Sequence, residues 1–387
     1  MLDEPTAVIA STLFDGTEAR QDWAVIVEGS RIGWTGPSAQ LPKGLPCQSL
    51  PSAAWLAPGF IDVQVNGGGD ALFNDSPTPN TLKHIAAAHR RFGTTGLLPT
   101  LITDTPAKMQ AALHAVQDTT AEDGILGVHF EGPFLSPEKR GVHDPSLIRA
   151  PSEVDLEFFC GLLNRAVIVT LAPERVAESF LARLAEQGVR LALGHSMATY
   201  TETKRSFTNG VTGVTHLFNA MRGLESREPG PIAATLESPN IWFGMIVDGV
   251  HVAPAMLRLA LRGSAHPMLV TDAMPPAAGT QSSFELFGQR IAVQGQCCVT
   301  AAGRLAGTAL NMASAVHNCT RLLGVSLSSA LRFASLEPAR FLGIDDRVGR
   351  LAPGYRADMV ALNPDTLAIL GTWLAGKWRP SLCGSNR

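Results

Sequence analysis

Short apolar runs rich in β-branched residues alternate along the chain with longer stretches whose apolar positions recur at helical spacing. The runs predict strands at residues 60–66, 94–101, 125–131, 166–171, 189–195, 211–217, 242–247 and 267–271. Most are apolar nearly throughout instead of alternating, as expected of strands covered on both faces in a parallel sheet. The stretches between them carry helix signals. Leu156, Phe159, Cys160 and Leu163 fall at i, i+3, i+4 and i+7 behind Ser152, a capping residue type. Pro106 follows Asp104 and Thr105 where a first helical turn would begin, and Met109, Leu113 and Val116 form one stripe behind it. Eight strand–helix units over residues 58–343 match a (β/α)8 TIM barrel, an α/β fold. An open doubly wound sheet would need a glycine-rich phosphate turn after an early strand. Gly67-Gly68-Gly69 is not one, because no Lys-Ser/Thr follows it.

The two ends have a different texture. Residues 1–55 and 347–387 read as short strands and turns, with strands expected at 25–28, 31–35, 358–362 and 370–378 and turns at Gly36-Pro37 and Pro353-Gly354. Neither end could bury a core alone, so both together predict one small β-sandwich domain beside a barrel domain of residues 56–346. An irregular insert, 274–305, follows the last barrel strand. Its segments 284–293 and 296–300 predict a hairpin covering whatever lies at that strand's C-terminal end.

Composition narrows the class further. At 45% hydrophobic and 17% charged residues the chain is too apolar for disorder, and a net charge of −3 leaves no basic footprint for nucleic acid. Six cysteines (Cys47, Cys160, Cys297, Cys298, Cys319, Cys383) without a C-x-x-C pair suit a reducing cytoplasm. The N-terminus has no basic region leading into an apolar stretch, and the uncharged run 44–61 is interrupted by Pro46, Pro51 and Pro58. A cytoplasmic protein with no membrane segment is expected.

Catalytic groups of such barrels sit at the C-terminal ends of the strands. The polar residues there are Gln64 and Asn66, Glu131, His195, His216 and Asp272. One lone His at a strand end is ordinarily a hydrogen-bonded structural residue. Two His and a Glu ending separate strands of one barrel form the ligand set of a hydrolytic zinc site with one position left for water, and Asp272 adds a carboxylate beside it. His129 shares a strand face with Glu131 and is expected behind the ligands. His84, His89 and His114 on helices are expected to be surface or packing residues, and His266 lies at the entry end of the last strand, the face that serves stability.

Eight stretches occur in family order across nearly the whole chain: 58–67 (PGFIDVQVNG), 129–133 (HFEGP), 169–174 (VTLAPE), 194–196 (GHS), 215–221 (THLFNAM), 227–230 (REPG), 248–251 (DGVH) and 270–273 (VTDA). Through them the chain resembles the N-acetylglucosamine-6-phosphate deacetylase family of the amidohydrolase superfamily. The resemblance implies a (β/α)8 barrel with a β-sandwich from both termini, and hydrolysis of N-acetyl-D-glucosamine 6-phosphate to glucosamine 6-phosphate and acetate. It makes Glu131, His195 and His216 metal ligands, Asp272 the proton acceptor and donor, and a protonated His143 the group on the acetyl carbonyl. Asn219, Ala220, Arg227 and His251 would hold the sugar phosphate, with Asp248 beside them and some contacts crossing a homodimer interface. Val142 and Leu305, Ala306 and Gly307 would line the sugar.

Many relatives in the superfamily open with H-x-H and bridge two metals with a lysine. Here the first position reads Gln64-Val65-Asn66, and no lysine occurs between Lys139 and Lys204. One divalent ion per subunit is therefore expected, zinc as first choice, with iron(II), cobalt or manganese compatible with the same ligands. Rival readings are an N-acetylgalactosamine-6-phosphate deacetylase, a cyclic-amide hydrolase of the dihydroorotase type, and a non-catalytic binding protein on the same scaffold.

Overall fold

Residues 4–160 and 165–380 are described by a computed structural model of the chain. Leu163 of the expected helical stripe and Cys383 lie outside them. Eight parallel strands follow one another around the fold: β1 (Phe60–Val65), β2 (Thr94–Ile102), β3 (Gly127–Glu131), β4 (Ala166–Leu171), β5 (Arg190–Leu193), β6 (Val211–Val214), β7 (Trp242–Met245) and β8 (His266–Leu269). No ladder joins β8 to β1. The barrel is drawn together just past them, where Asp272 N donates to Gln64 O (3.0 Å) and Asn66 N to Ala273 O (2.9 Å). All eight expected strands occur. Those expected to run to 195, 217 and 271 stop at Leu193, Val214 and Leu269, because the chain beyond turns into left-handed backbone at His195 (φ 49°), His216 (φ 31°) and Asp272 (φ 50°).

The intervening helices follow their sequence signals with two refinements. Helix Pro106–Gln117 is capped by Thr105, whose hydroxyl accepts from Lys108 N, and it buries Met109, Leu113 and Val116. At helix Glu153–Cys160 the expected cap works in reverse. Ser152 donates from N (2.8 Å) and Oγ (2.7 Å) to the carboxylate of Asp155, which Arg149 also holds. This anchors Phe159 against Phe130 of β3 (5.4 Å, edge-to-face) and against Phe134 of the loop after it (6.2 Å). Such pairs contribute roughly 0.5–1.5 kcal/mol each beyond area burial, and here they fix the strand and loop that carry Glu131.

Both chain ends enter one mixed sheet. It contains Thr6–Phe14, Ala19–Glu28, Arg31–Pro37, Cys47–Ser49, Trp55–Pro58, Met359–Leu362, Ile369–Leu374 and Lys377–Pro380. Strand Trp55–Pro58 pairs with Thr6–Phe14 on one side and Met359–Leu362 on the other, then leads directly into β1. Val8, Leu13, Val25, Ile32, Met359 and Trp373 form a core separate from the barrel's. Gly36-Pro37, expected as a turn, ends a strand instead. The expected strand 370–378 folds back at Ala375-Gly376, both at positive φ, into two strands.

The insert after β8 is likewise richer than one hairpin. Ser283–Leu286, Gln289–Gln294, Cys297–Thr300 and Leu305–Thr308 form a four-stranded meander, since Phe287-Gly288 reverses the chain at positive φ. Its own small core includes Met274, Phe284, Ile291 and Cys298. The last strand returns to the barrel mouth, where Thr308 N donates to Asp272 O (3.0 Å). Among the described residues, no helix is long and apolar enough to cross a membrane.

Candidate metal centre

Glu131 ends β3, and Gly132 follows at φ 92°, where a Cβ would lie 2.0 Å from Thr103 Oγ1. The absence of that side chain lets Thr103 donate to Glu131 O (2.9 Å) and fix the strand end. His195 and His216 stand two residues beyond β5 and β6. Strained backbone of this kind persists only where surrounding bonds over-determine it. For His195 those bonds come from Glu174, which accepts from Ser196 Oγ (2.7 Å) and Met197 N (2.6 Å).

The three side chains meet in one place. Glu131 Oε1 lies 3.1 Å from both His195 Nε2 and His216 Nε2, and the two imidazole nitrogens are 3.2 Å apart. All three residues are buried. Ligand atoms around a tetrahedral ion with bonds of about 2.0 Å lie about 3.3 Å apart, so the triangle has the size a divalent cation requires. The chemistry fits as well. His195 Nδ1 donates to Lys139 O (2.8 Å), which leaves Nε2 as a bare lone pair aimed at the triangle. His216 Nδ1 has no partner among the described residues. Burial pushes the Glu131 carboxyl up, but the two imidazoles outweigh it and hold the group well below the usual carboxylate range.

Gln64 and Asn66 occupy the place of the missing H-x-H and serve the carboxylates. Asn66 Nδ2 donates to Asp272 Oδ1 (2.7 Å), and Gln64 Nε2 reaches both Glu131 Oε1 (3.2 Å) and Asp272 Oδ1 (3.3 Å). Burial, with Glu131 nearby, raises the Asp272 pKa to about 6. Directly beneath, the fully buried Asp62 accepts from Thr271 Oγ1 (2.6 Å) and Thr271 N (3.3 Å), and burial raises it to about 7. His129 lies below the ligands, bonded to Val63 O and Thr170 Oγ1. Near the end of β4, the Thr170 hydroxyl pairs with His129 and Thr215.

A cleft of about 670 Å³ opens above the triangle. Val142, His143, Asn219, Ala220, His251, Leu305, Ala306 and Gly307 all line it, together with Asn66 and Asp272. Asp248 stands behind: its carboxylate accepts from His251 Nδ1 (2.6 Å) and from two backbone N–H groups, which turns the other imidazole nitrogen to the cleft. His143 Nδ1 pairs with Thr103 Oγ1 (2.8 Å), and Nε2 lies 4.0 Å from Glu131 Oε2. Burial, then the nearness of His195, pushes His143 down to about 3, which favours the neutral imidazole over the protonated form expected from the sequence.

Arg227 is the implied residue that the fold does not bring to the cleft. It is exposed on the loop before helix Gly230–Leu236 and pairs with neither Glu225 nor Glu228. Glu228 instead accepts from Tyr200 N (2.7 Å) and Gly230 N (3.0 Å). Sequence reasoning missed Thr103, the Lys139 carbonyl and the amides' contacts. Their signals are weak, because a backbone carbonyl or a threonine carries no motif. Of the remaining histidines, His89 is buried on Gly67 O and His266 stacks on Trp242 at 4.9 Å, while His84, bonded to Gly69 O, and His114, bonded to Gln110, lie at the surface.

Comparison with known proteins agrees with this geometry. Residues 55–379 match the model of the amidohydrolase family. An N-acetylgalactosamine-6-phosphate deacetylase from Shewanella sp. (strain ANA-3) is 38% identical, covering 92% of this chain and 96% of its own. An N-acetylglucosamine-6-phosphate deacetylase from Haemophilus influenzae is 32% identical over 96% and 99%. The crystal structure of N-acetylglucosamine-6-phosphate deacetylase from Pasteurella multocida superposes with a TM-score of 0.94 at 32% identity, covering 97% of this chain and 100% of that one.

Proposed function

This chain belongs to the amidohydrolase family, and we propose that it removes the N-acetyl group of N-acetyl-D-glucosamine 6-phosphate, yielding glucosamine 6-phosphate and acetate in amino-sugar catabolism. The observation that carries the proposal is the convergence of Glu131, His195 and His216 beside Asp272 at the floor of a cleft whose wall carries His143.

Glu131 Oε1, His195 Nε2 and His216 Nε2 would hold one divalent cation, zinc as first choice, which supplies Lewis acidity and lowers the pKa of water. Asp272 takes the proton of the attacking water and later gives it to the departing nitrogen, without which an amide anion would have to leave. A carboxyl near 6 can do both at neutral pH, and the Asn66 and Gln64 amides aim its oxygen. His143 steadies the developing oxyanion as a neutral imidazole. For that role the Thr103 hydroxyl turns from Glu131 O to donate to Nδ1, which leaves Nε2–H to face the carbonyl.

At the far end of the cleft, Asn219, Ala220 and the Asp248-oriented His251 take the sugar phosphate, and Leu305 to Gly307 with Val142 line the ring. Arg227, exposed in a single chain, reaches that phosphate across a subunit contact, so a homodimer is part of the proposal. So are a cytoplasmic location and the division into a barrel domain, 56–346, and a terminal domain, 1–55 with 347–387.

The galactosamine epimer is a second reading, favoured by the 38% identity to the Shewanella enzyme. The two substrates differ at one hydroxyl. Acetate release by zinc-loaded protein from both epimers in parallel decides between them, and no release from either would refute the deacetylase reading.

A further inference from the structure

On the His143 side of the cleft a second cavity of about 330 Å³ opens between the loop after β3 and the inserted meander. It shares Arg140, Gly141, Val142, His143 and Arg304 with the main cleft. None of the residues at the phosphate end lines it, nor do the three metal-site residues. Its mouth opens beside His143, the residue placed above at the acyl carbonyl, and the inference rests on that reading.

The chemistry of the walls is distinctive. Arg140 and Arg304 face the cavity from opposite sides, and neither forms an ion pair among the described residues. Asp144 also borders it, but its Oδ1 is taken by Ser146 N (2.9 Å) and Ser146 Oγ (2.7 Å). Thr300 and Gln289 complete a mostly polar lining. An acetyl group, with one methyl beyond its carbonyl, leaves this space to water. Two arginine forks facing each other across a polar cavity fit a carboxylate.

We propose that this cavity is an acyl-tail subsite, and that the enzyme also hydrolyses N-acyl hexosamine 6-phosphates whose acyl chain ends in a carboxylate, such as N-succinyl, with Arg140 and Arg304 holding the terminal anion. The reaction is the same hydrolysis. Water oxygen bonds to the acyl carbon, the C–N bond breaks, one water proton goes to nitrogen, and a free dicarboxylate and the amino sugar phosphate leave.

The test compares N-acetyl, N-butyryl and N-succinyl forms of the hexosamine 6-phosphate that the metal-loaded enzyme prefers, following release of the free amine. Butyryl approximates the succinyl chain without its charge. The subsite predicts that kcat/KM for succinyl exceeds that for butyryl by about tenfold or more, the scale of a hydrogen bond between charged groups. Arg304→Ala abolishes the excess, read as the ratio of the succinyl to the butyryl kcat/KM, so that any change common to all three substrates cancels. Arg304 lies on an exposed turn, so folding is not at stake, and Arg140→Ala repeats the test from the opposite wall. Turnover of acetyl with succinyl no better than butyryl, or an excess that survives both substitutions, overturns the subsite alone. No turnover of any of the three overturns the deacetylase reading with it.

Discussion

Asn66 Nδ2 lies 2.7 Å from Asp272 Oδ1, so the amide that ends Gln64-Val65-Asn66 donates to the carboxylate at the cleft floor. Gln64 extends the arrangement by donating to both Asp272 and Glu131. The two amides together position both carboxylates.

Asp272→Asn keeps the shape of the side chain and removes its ability to take a proton. The variant is expected to lose about 10²–10⁴ in kcat, the usual worth of general acid–base catalysis, while retaining wild-type metal content. Near-full activity would remove Asp272 from the reaction. Parallel acetate-release kinetics and metal analysis measure both quantities.

The rate is also expected to fall on the acid side. Asp272 acts as a base only when ionised, and burial together with Glu131 places its pKa at about 6. A bound cation would lower that value, so the acid limb of kcat/KM belongs at or below about pH 6 and disappears in Asp272→Asn. A pH–rate profile from 4.5 to 8 measures it.

Asp62 links pH to stability. Its folded pKa is about 7 against 3.8 for the free group, so the folded state favours the neutral acid. That contribution is whole below about pH 4 and is lost as pH rises through about 7, up to roughly 4 kcal/mol for a shift of this size. Asp62→Asn, which stays neutral, should flatten the fall. Urea unfolding of metal-free wild type and variant from pH 4 to 8 shows whether the difference between them grows with pH as required.

Arg227→Ala should raise KM about 10- to 100-fold for the phosphorylated sugar, the scale of a charge-assisted bond to phosphate, and change it little for the unphosphorylated sugar. Equal effects on both would detach Arg227 from the phosphate. Sedimentation of the wild-type protein shows whether two chains associate, as the role proposed for the exposed Arg227 requires.

The barrel was legible because its strands are apolar runs separated by helical stretches, and both patterns survive without tertiary information. The cluster that could hold a metal was legible because Glu131, His195 and His216 each close a different apolar run, although the two histidines stand just beyond the strands themselves. Less could be read where the chain leaves regular structure. The reversals at Phe287-Gly288 and Ala375-Gly376 put phenylalanine and alanine into left-handed backbone, against their local preference, so one strand was expected where two occur. The neutral state of His143 follows from burial and from the nearness of His195, which no motif spacing conveys. The placement of Arg227 depends on a loop that a single chain leaves in solvent.

Metal analysis of the purified protein, with Glu131→Gln beside the wild type and acetate release measured on both, tests the centre most directly. The account predicts one divalent ion per chain in the wild type, together with deacetylation, and loss of both ion and activity in the variant. A wild type that deacetylates with no bound metal, or a variant that keeps both its ion and its rate, would contradict it.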